Sequence, residues 1–187
     1  MHEIEKQEEK DRKILRFQLN RKTLQPIVKV VKRCSRGFPQ VVLNLPTRDG
    51  KIWFPTIFWL TCPYLHYEIS KLENTGLIKY LETKIENSIW MQKEFLKDQK
   101  RCMIVKNNFF SFLRVLDPYG IFFFKRGIGG VTNLKKVKCL HLHYAFFLGT
   151  GRGMIGNIIK EKISAQMKDP TDCNNYYSKY CGKEDLL

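Results

Sequence analysis

The chain has 187 residues, 43% of them hydrophobic and 27% charged, and its 33 Lys and Arg against 18 Asp and Glu leave a net charge of +15. That length fits one domain with a core of its own. No apolar stretch approaches the roughly 20 residues that a membrane-spanning helix needs, and no signal-peptide pattern opens the chain, so a cytoplasmic protein is expected. There, six cysteines are expected as thiols, metal ligands or nucleophiles rather than as disulfides.

In chain order, residues 1–22 alternate acid and base around Ile4, Ile14, Leu15, Phe17 and Leu19, the pattern of an amphipathic helix. "PIVKVVK" reads as a strand at 27–32, "RCSRGFP" as a turn holding Cys34, and "QVVLNL" as a strand at 40–45. Asp49-Gly50 suits a tight hairpin turn. A third strand is expected from Lys51 to Leu60, edge-placed or bulged at Pro55, which has no N–H to give a ladder. Three such strands in succession make a meander.

The next helix starts in "TCPYLHYEISKLENTG", with Pro63 at its first position and Gly76 at its end. A longer one is expected from Leu77 to Asp98, giving a helical hairpin. "MIVKNNFFSFLRVL" fits strand or helix alike. "DPYG" reads as a turn, "IFFFK" as a strand and "RGIGGVTN" as a loop. Helices are expected at 134–148, at 158–168 and, capped by Asp172, across "CNNYYSKYC".

Five features carry chemistry. Cys62 sits at a helix start, where unpaired N–H groups and the helix dipole favour a thiolate; it is the candidate nucleophile and a candidate ligand. "KCLHLH" places Cys139, His141 and His143 within five residues. On a helix, Cys139 and His143 share a face and His141 points elsewhere; on a strand all three share one side. Cys173 and Cys181, eight residues apart on one continuous helix, stand about 12 Å apart, too far for one ion or one disulfide. "GRGMIG" at 151–156 fits G-x-G-x-x-G. It follows a helix rather than a strand, however, so it reads as a loop of small residues around Arg152 and not as a dinucleotide site. Finally, cations gather at Arg12, Lys13, Arg16, Arg21, Lys22, Lys29, Lys32, Arg33 and Arg36 and again at Lys125, Arg126, Lys135, Lys136 and Lys138. Phe38, Phe122 and Phe124 lie near them in sequence, a composition that suits RNA or another polyanion.

"FPTIFWLTCPYL", "VKCLHLHYAFFL.TG" and the turn "RCSRGFPQVV" together resemble the bacterial family known as domain of unknown function 501, over roughly residues 10–160. The resemblance places that family's polar signature on Cys34, Gly37, Pro39, Pro55, Thr56, Thr61, Cys62, Pro63, Lys138, Cys139, His141 and Gly156. It implies a bacterial cytosolic protein and brings no reaction with it. After the glycine loop the family usually shows an Asn-Pro pair, where this chain reads "GRGMIGN".

The expected fold is α+β, one domain over 1–187: a helix at 1–22, a small antiparallel β meander at 23–61, a helical hairpin at 62–99, and a mostly helical half at 100–187 carrying the Cys/His segment. The leading expectation is a zinc or iron protein with Cys34, Cys62, Cys139 and His141 or His143 as ligands, since thiolate and imidazole together suit those ions. An RNA- or polyanion-binding module and a thiol enzyme using Cys62 are the alternatives.

Overall fold

The computed structural model describes residues 2–24, 27–45, 47–48, 51–52, 56–113, 125–165 and 181. Helix α1 (His2–Gln18) leads into strands β1 (Ile27–Arg33) and β2 (Pro39–Asn44). A two-stranded hairpin follows, β3 (Thr47–Arg48) with β4 (Lys51–Ile52), and then β5 (Phe58–Leu60). The main sheet has the order β1-β2-β5, antiparallel throughout, with Val30 opposite Val42 and Val42 opposite Trp59. The expected meander is therefore present, with the small hairpin inserted before its last strand. The expected third strand is in two pieces, and Asp49, Gly50 and Pro55 lie outside the described residues. All six residues of β2 are buried. Successive side chains of a strand point to opposite faces, so both faces of the sheet are covered.

Helix α1 supplies Ile14 and Leu15 to the core and makes contact with β2. Side chains as well as apolar packing tie it to the sheet. The Gln18 amide donates to the Pro39 carbonyl at 3.0 Å. Arg33 on β1 reaches back to Asp11 with Nη1 at 2.8 Å and Nη2 at 2.6 Å from the two carboxylate oxygens, a two-pronged geometry that a planar guanidinium favours. That hydrogen-bonded carboxylate pushes the Arg33 pKa up.

Helices α2 (Pro63–Asn74), α3 (Leu77–Glu86) and α4 (Ile89–Leu113) follow. Gly76 joins α2 to α3 at φ 77°, a left-handed conformation that costs glycine little. The single helix expected over 77–98 is two helices, because the Ser88 hydroxyl accepts the Met91 N–H at 3.3 Å and starts a new helix there. The stretch after residue 100 that fitted strand or helix continues α4 to Leu113.

The C-terminal half comprises a 3-10 turn (Ile128–Gly130), α5 (Leu140–Thr150) and α6 (Met154–Ser164). It is stitched to the preceding helices by side chains that accept its backbone N–H groups. Gln99 Oε1 takes Ile128 N–H at 2.7 Å, Glu82 Oε1 takes Val137 N–H at 3.0 Å, Glu73 Oε1 takes Leu140 N–H at 2.6 Å and Asp98 Oδ2 takes Met154 N–H at 2.6 Å. Buried Lys106 closes the same seam from the donor side, giving its ammonium protons to the carbonyls of Arg126 (2.9 Å) and Gly127 (3.2 Å). These contacts explain two differences from the sequence reading. The helix expected from 134 starts at Leu140: the Val137 N–H goes to Glu82 rather than to a helical carbonyl, and the carboxylate of Glu73 caps the later start. The helix expected from 158 starts at Met154, where Asp98 caps it. The readings of "DPYG", "IFFFK" and the 173–181 helix fall outside the described residues, apart from Cys181, which is buried.

Helix α5 packs on β5, β2 and α6, with Phe58 and Phe146 meeting edge to face at 6.2 Å. One contiguous core runs from Ile14 to Ile163 and includes Cys181. No helix among the described residues is long and apolar enough to cross a membrane.

Candidate metal centre

On α2, residues 66, 70 and 73 are spaced at i, i+4 and i+7, which puts His66, Ser70 and Glu73 on one face. The start of α5 packs against α2. Cys139 is the N-cap of α5, with extended backbone (φ −160°, ψ 153°), and His141 lies in its first turn. The carboxylate of Glu73, the sulfur of Cys139 and the ring of His141 each offer one ligand atom, and those atoms all lie within 4.8 Å of one another. Among the described residues this is the one group of three or more His, Cys, Asp or Glu side chains to meet so closely. All three are half-buried.

His141 is held on every side. Its Nδ1 is 3.3 Å from Glu73 Oε1, and its Nε2 is 3.2 Å from the His66 carbonyl and 3.4 Å from the Ser70 hydroxyl. The His66 ring stacks on it, with centroids 4.8 Å apart and planes 29° apart. His66 in turn donates from Nε2 to the Leu60 carbonyl at 2.8 Å. Burial pushes the His66 pKa down, against the pull of that carbonyl. Burial pushes the Cys139 thiol up, and the Glu73 carboxylate acts in the same direction, while the amides of Leu142 and His141 oppose them.

Of the five ligands expected from sequence, Cys139 and His141 come together here, and Cys34, Cys62 and His143 do not join the group. Cys34 is buried in the turn between β1 and β2, where its backbone N–H donates to Phe38. Cys62 is the N-cap of α2, as expected, but only 3% of it is exposed. His143 follows His141 by about 200° around the helix. It is fully buried against Phe95, with ring centroids 5.5 Å apart, and its pKa is lowered by burial to about 4. The paired face Cys139–His143 does not form, because Cys139 precedes the helix and takes no helical phase. Glu73 and His66 were missed from the sequence. The signal available was their spacing along one face of α2, which gains meaning only once α5 is known to pack there.

The glycine motif has another use. Gly156 lies where α5 and α6 cross: a Cβ at this position would fall on Cβ of Phe147, 2.6 Å from its Cγ and 3.1 Å from the His143 carbonyl oxygen. The first amide of α6 is already taken by Asp98. Several of the expected surface cations also have internal roles: Arg33 binds Asp11, Lys138 donates to the Gly129 carbonyl at 3.0 Å, and Lys136 lies 3.4 Å from Glu82.

A family model described as protein of unknown function (DUF501) matches residues 30–161, well over half of the chain and all of the centre described above. No curated protein and no solved structure matches it.

Proposed function

The chain belongs to the DUF501 family, and from that premise we propose that it is a metal-binding protein whose ion, zinc or less favourably iron, sits between Glu73, Cys139 and His141. The observation that carries this reading is the convergence of three ligand atoms, a Glu73 carboxylate oxygen, the Cys139 sulfur and a His141 ring nitrogen, all within 4.8 Å of one another. The far ring nitrogen of His141 lies 3.2 Å from the His66 carbonyl oxygen, and a carbonyl at that position is the usual outer support of a metal-bound histidine.

Thiolate, imidazole and carboxylate together suit zinc. In a tetrahedral site with bonds of about 2.0–2.3 Å, ligand atoms stand roughly 3.5 Å apart, so the three side chains would close by roughly 1 Å on binding. Burial holds the Cys139 proton on. The sulfur is therefore a poor free nucleophile, and ion binding would expel its proton. Three protein ligands leave a fourth position for water or a substrate, the arrangement of catalytic rather than structural zinc.

The test is elemental analysis of protein purified without a polyhistidine tag, together with cobalt substitution. About one ion per chain and a thiolate-to-cobalt charge-transfer band are expected, with proton release on zinc addition. Both signals should vanish in Cys139→Ala and weaken strongly in Glu73→Gln. The glutamine keeps an oxygen to cap Leu140, so it removes ligation while sparing the helix start. A folded, metal-free protein that takes up no cobalt, and in which a proton alone separates His141 from Glu73, would refute the reading.

A further inference from the structure

Helix α4 carries an exposed stripe of alternating apolar and basic residues. At 100° per residue, Ile89, Lys93, Leu96, Lys100 and Ile104 fall within an arc of about 80°, and all five are exposed. Ile89 is 73%, Leu96 38% and Ile104 57% exposed. The stripe runs for roughly 22 Å along the helix. Apolar residues alternate with lysines at each turn, and Lys93 and Lys100 have no ion-pair partner among the described residues. At its N-terminal end the stripe opens into a groove of about 450 Å³ between α4 and residues 132–135, with Ile85, Ile89, Phe95, Leu96 and Leu134 as its apolar lining. The charged residues lining that groove are Lys93 and Lys135, both cations.

We propose that this face of α4 docks an acidic amphipathic helix of a partner protein. Apolar residues of the partner would pack between Ile89, Leu96 and Ile104, one of them entering the groove, and its carboxylates would meet Lys93, Lys100 and Lys135. The periodicity is that of helix-on-helix recognition, with anchors at i, i+7 and i+15. A second copy of this chain is the wrong occupant, since it would set lysine against lysine. An anionic bilayer is disfavoured for a different reason. A helix lying in a membrane surface needs an unbroken apolar face. Here a lysine interrupts the apolar line at every turn, and the deepest part of the site is concave, a shape that fits an inserted side chain. The inference does not depend on the metal centre.

The experiment uses the full chain and a fluorescein-labelled helical peptide of roughly 20 residues with leucine at a and d heptad positions and glutamate elsewhere. A control peptide carries lysine in place of glutamate, and vesicles containing phosphatidylserine form the membrane arm. Saturable binding of the acidic peptide that weakens with added salt is expected. The exposed double variant Lys93→Glu, Lys100→Glu should weaken it at least about tenfold and turn preference toward the lysine peptide. Leu96→Asp should abolish binding, with the circular dichroism spectrum and thermal unfolding of each variant checking that it is folded. Four results would each overturn the proposal: no binding of the acidic peptide, equal binding of both peptides, no effect of the charge reversal, or vesicle binding without peptide binding. Self-association of the native chain that Leu96→Asp removes would overturn it as well, in favour of a dimer through α4.

Discussion

Replacing Gly156 with alanine tests whether the glycine motif is a packing device. Alanine in a helix interior is favoured over glycine by about 1 kcal/mol, so an open site would be stabilised by the change. Here the new methyl would fall on Cβ of Phe147 and 2.6 Å from its Cγ, against about 3.5 Å for comfortable carbon–carbon contact. The ring cannot simply swing aside, because its own Cβ is the nearest atom, and the His143 carbonyl oxygen on the same helix closes off a second direction at 3.1 Å. Helices α5 and α6 must therefore separate by about 1 Å. Overpacking of this kind costs about 1–3 kcal/mol, which after the propensity gain leaves a net loss of up to about 2 kcal/mol. For a chain of this size that corresponds to a fall in Tm of about 5 °C, measured by thermal circular dichroism and checked by urea unfolding. In a Phe147→Gly background the clashing Cβ and Cγ are both gone, and Gly156→Ala should cost markedly less than it does in the native background. A stabilised Gly156→Ala in the native background would refute this packing account.

Three further outcomes are expected. His143 has a folded-state pKa of about 4 against 6.5 for the free side chain, so the unfolded chain takes up the proton first; this contribution is intact above pH 6.5 and falls as pH drops towards 4, by about 3 kcal/mol in all, and His143→Leu should remove that slope from urea titrations run across the range. In alkylation with iodoacetamide followed by mass spectrometry, half-buried Cys139 should react ahead of Cys62 and Cys102, which are 3% and 4% exposed, and added zinc should protect it; Cys62 reacting first would instead favour a helix-start thiolate there. Lys106→Met should cost about 1–3 kcal/mol, because the carbonyls of Arg126 and Gly127 lose a buried donor; an unchanged urea midpoint would mean that water replaces the ammonium.

What could be read from the sequence was local. Pro63 and Gly76 bracket α2 because a proline and a glycine impose backbone angles wherever they stand. The "QVVLNL" run becomes the central strand because its residues are apolar on both faces of a sheet that is covered on both. Cys139 and His141 could be paired because they are neighbours in the chain. What escaped was set by distant partners. The starts at Leu140 and Met154 carry no cap of their own; their caps are Glu73, 67 residues earlier, and Asp98, 56 residues earlier. The same distance hid the third member of the cluster: the place of Glu73 on one face of α2 gains meaning only because α5 begins against that face. His143 looked equivalent to His141, and only the helical phase fixed by that start sends one toward Glu73 and the other into the core.

Those borrowed caps also bear on how the chain assembles. An isolated helix of eleven residues is marginal in water, and α5 and α6 are both of that length. Each gains its first hydrogen-bonded turn from a carboxylate on a helix made earlier in synthesis. A ribosome-bound or recombinant fragment ending near residue 113 already contains Glu73, Glu82, Asp98 and Gln99, the whole set of acceptors, and can act as a template. A fragment of 125–165 alone lacks those four acceptors and the Lys106 ammonium, and should stay largely unstructured until the first is added, when the two should fold together as one cooperative unit.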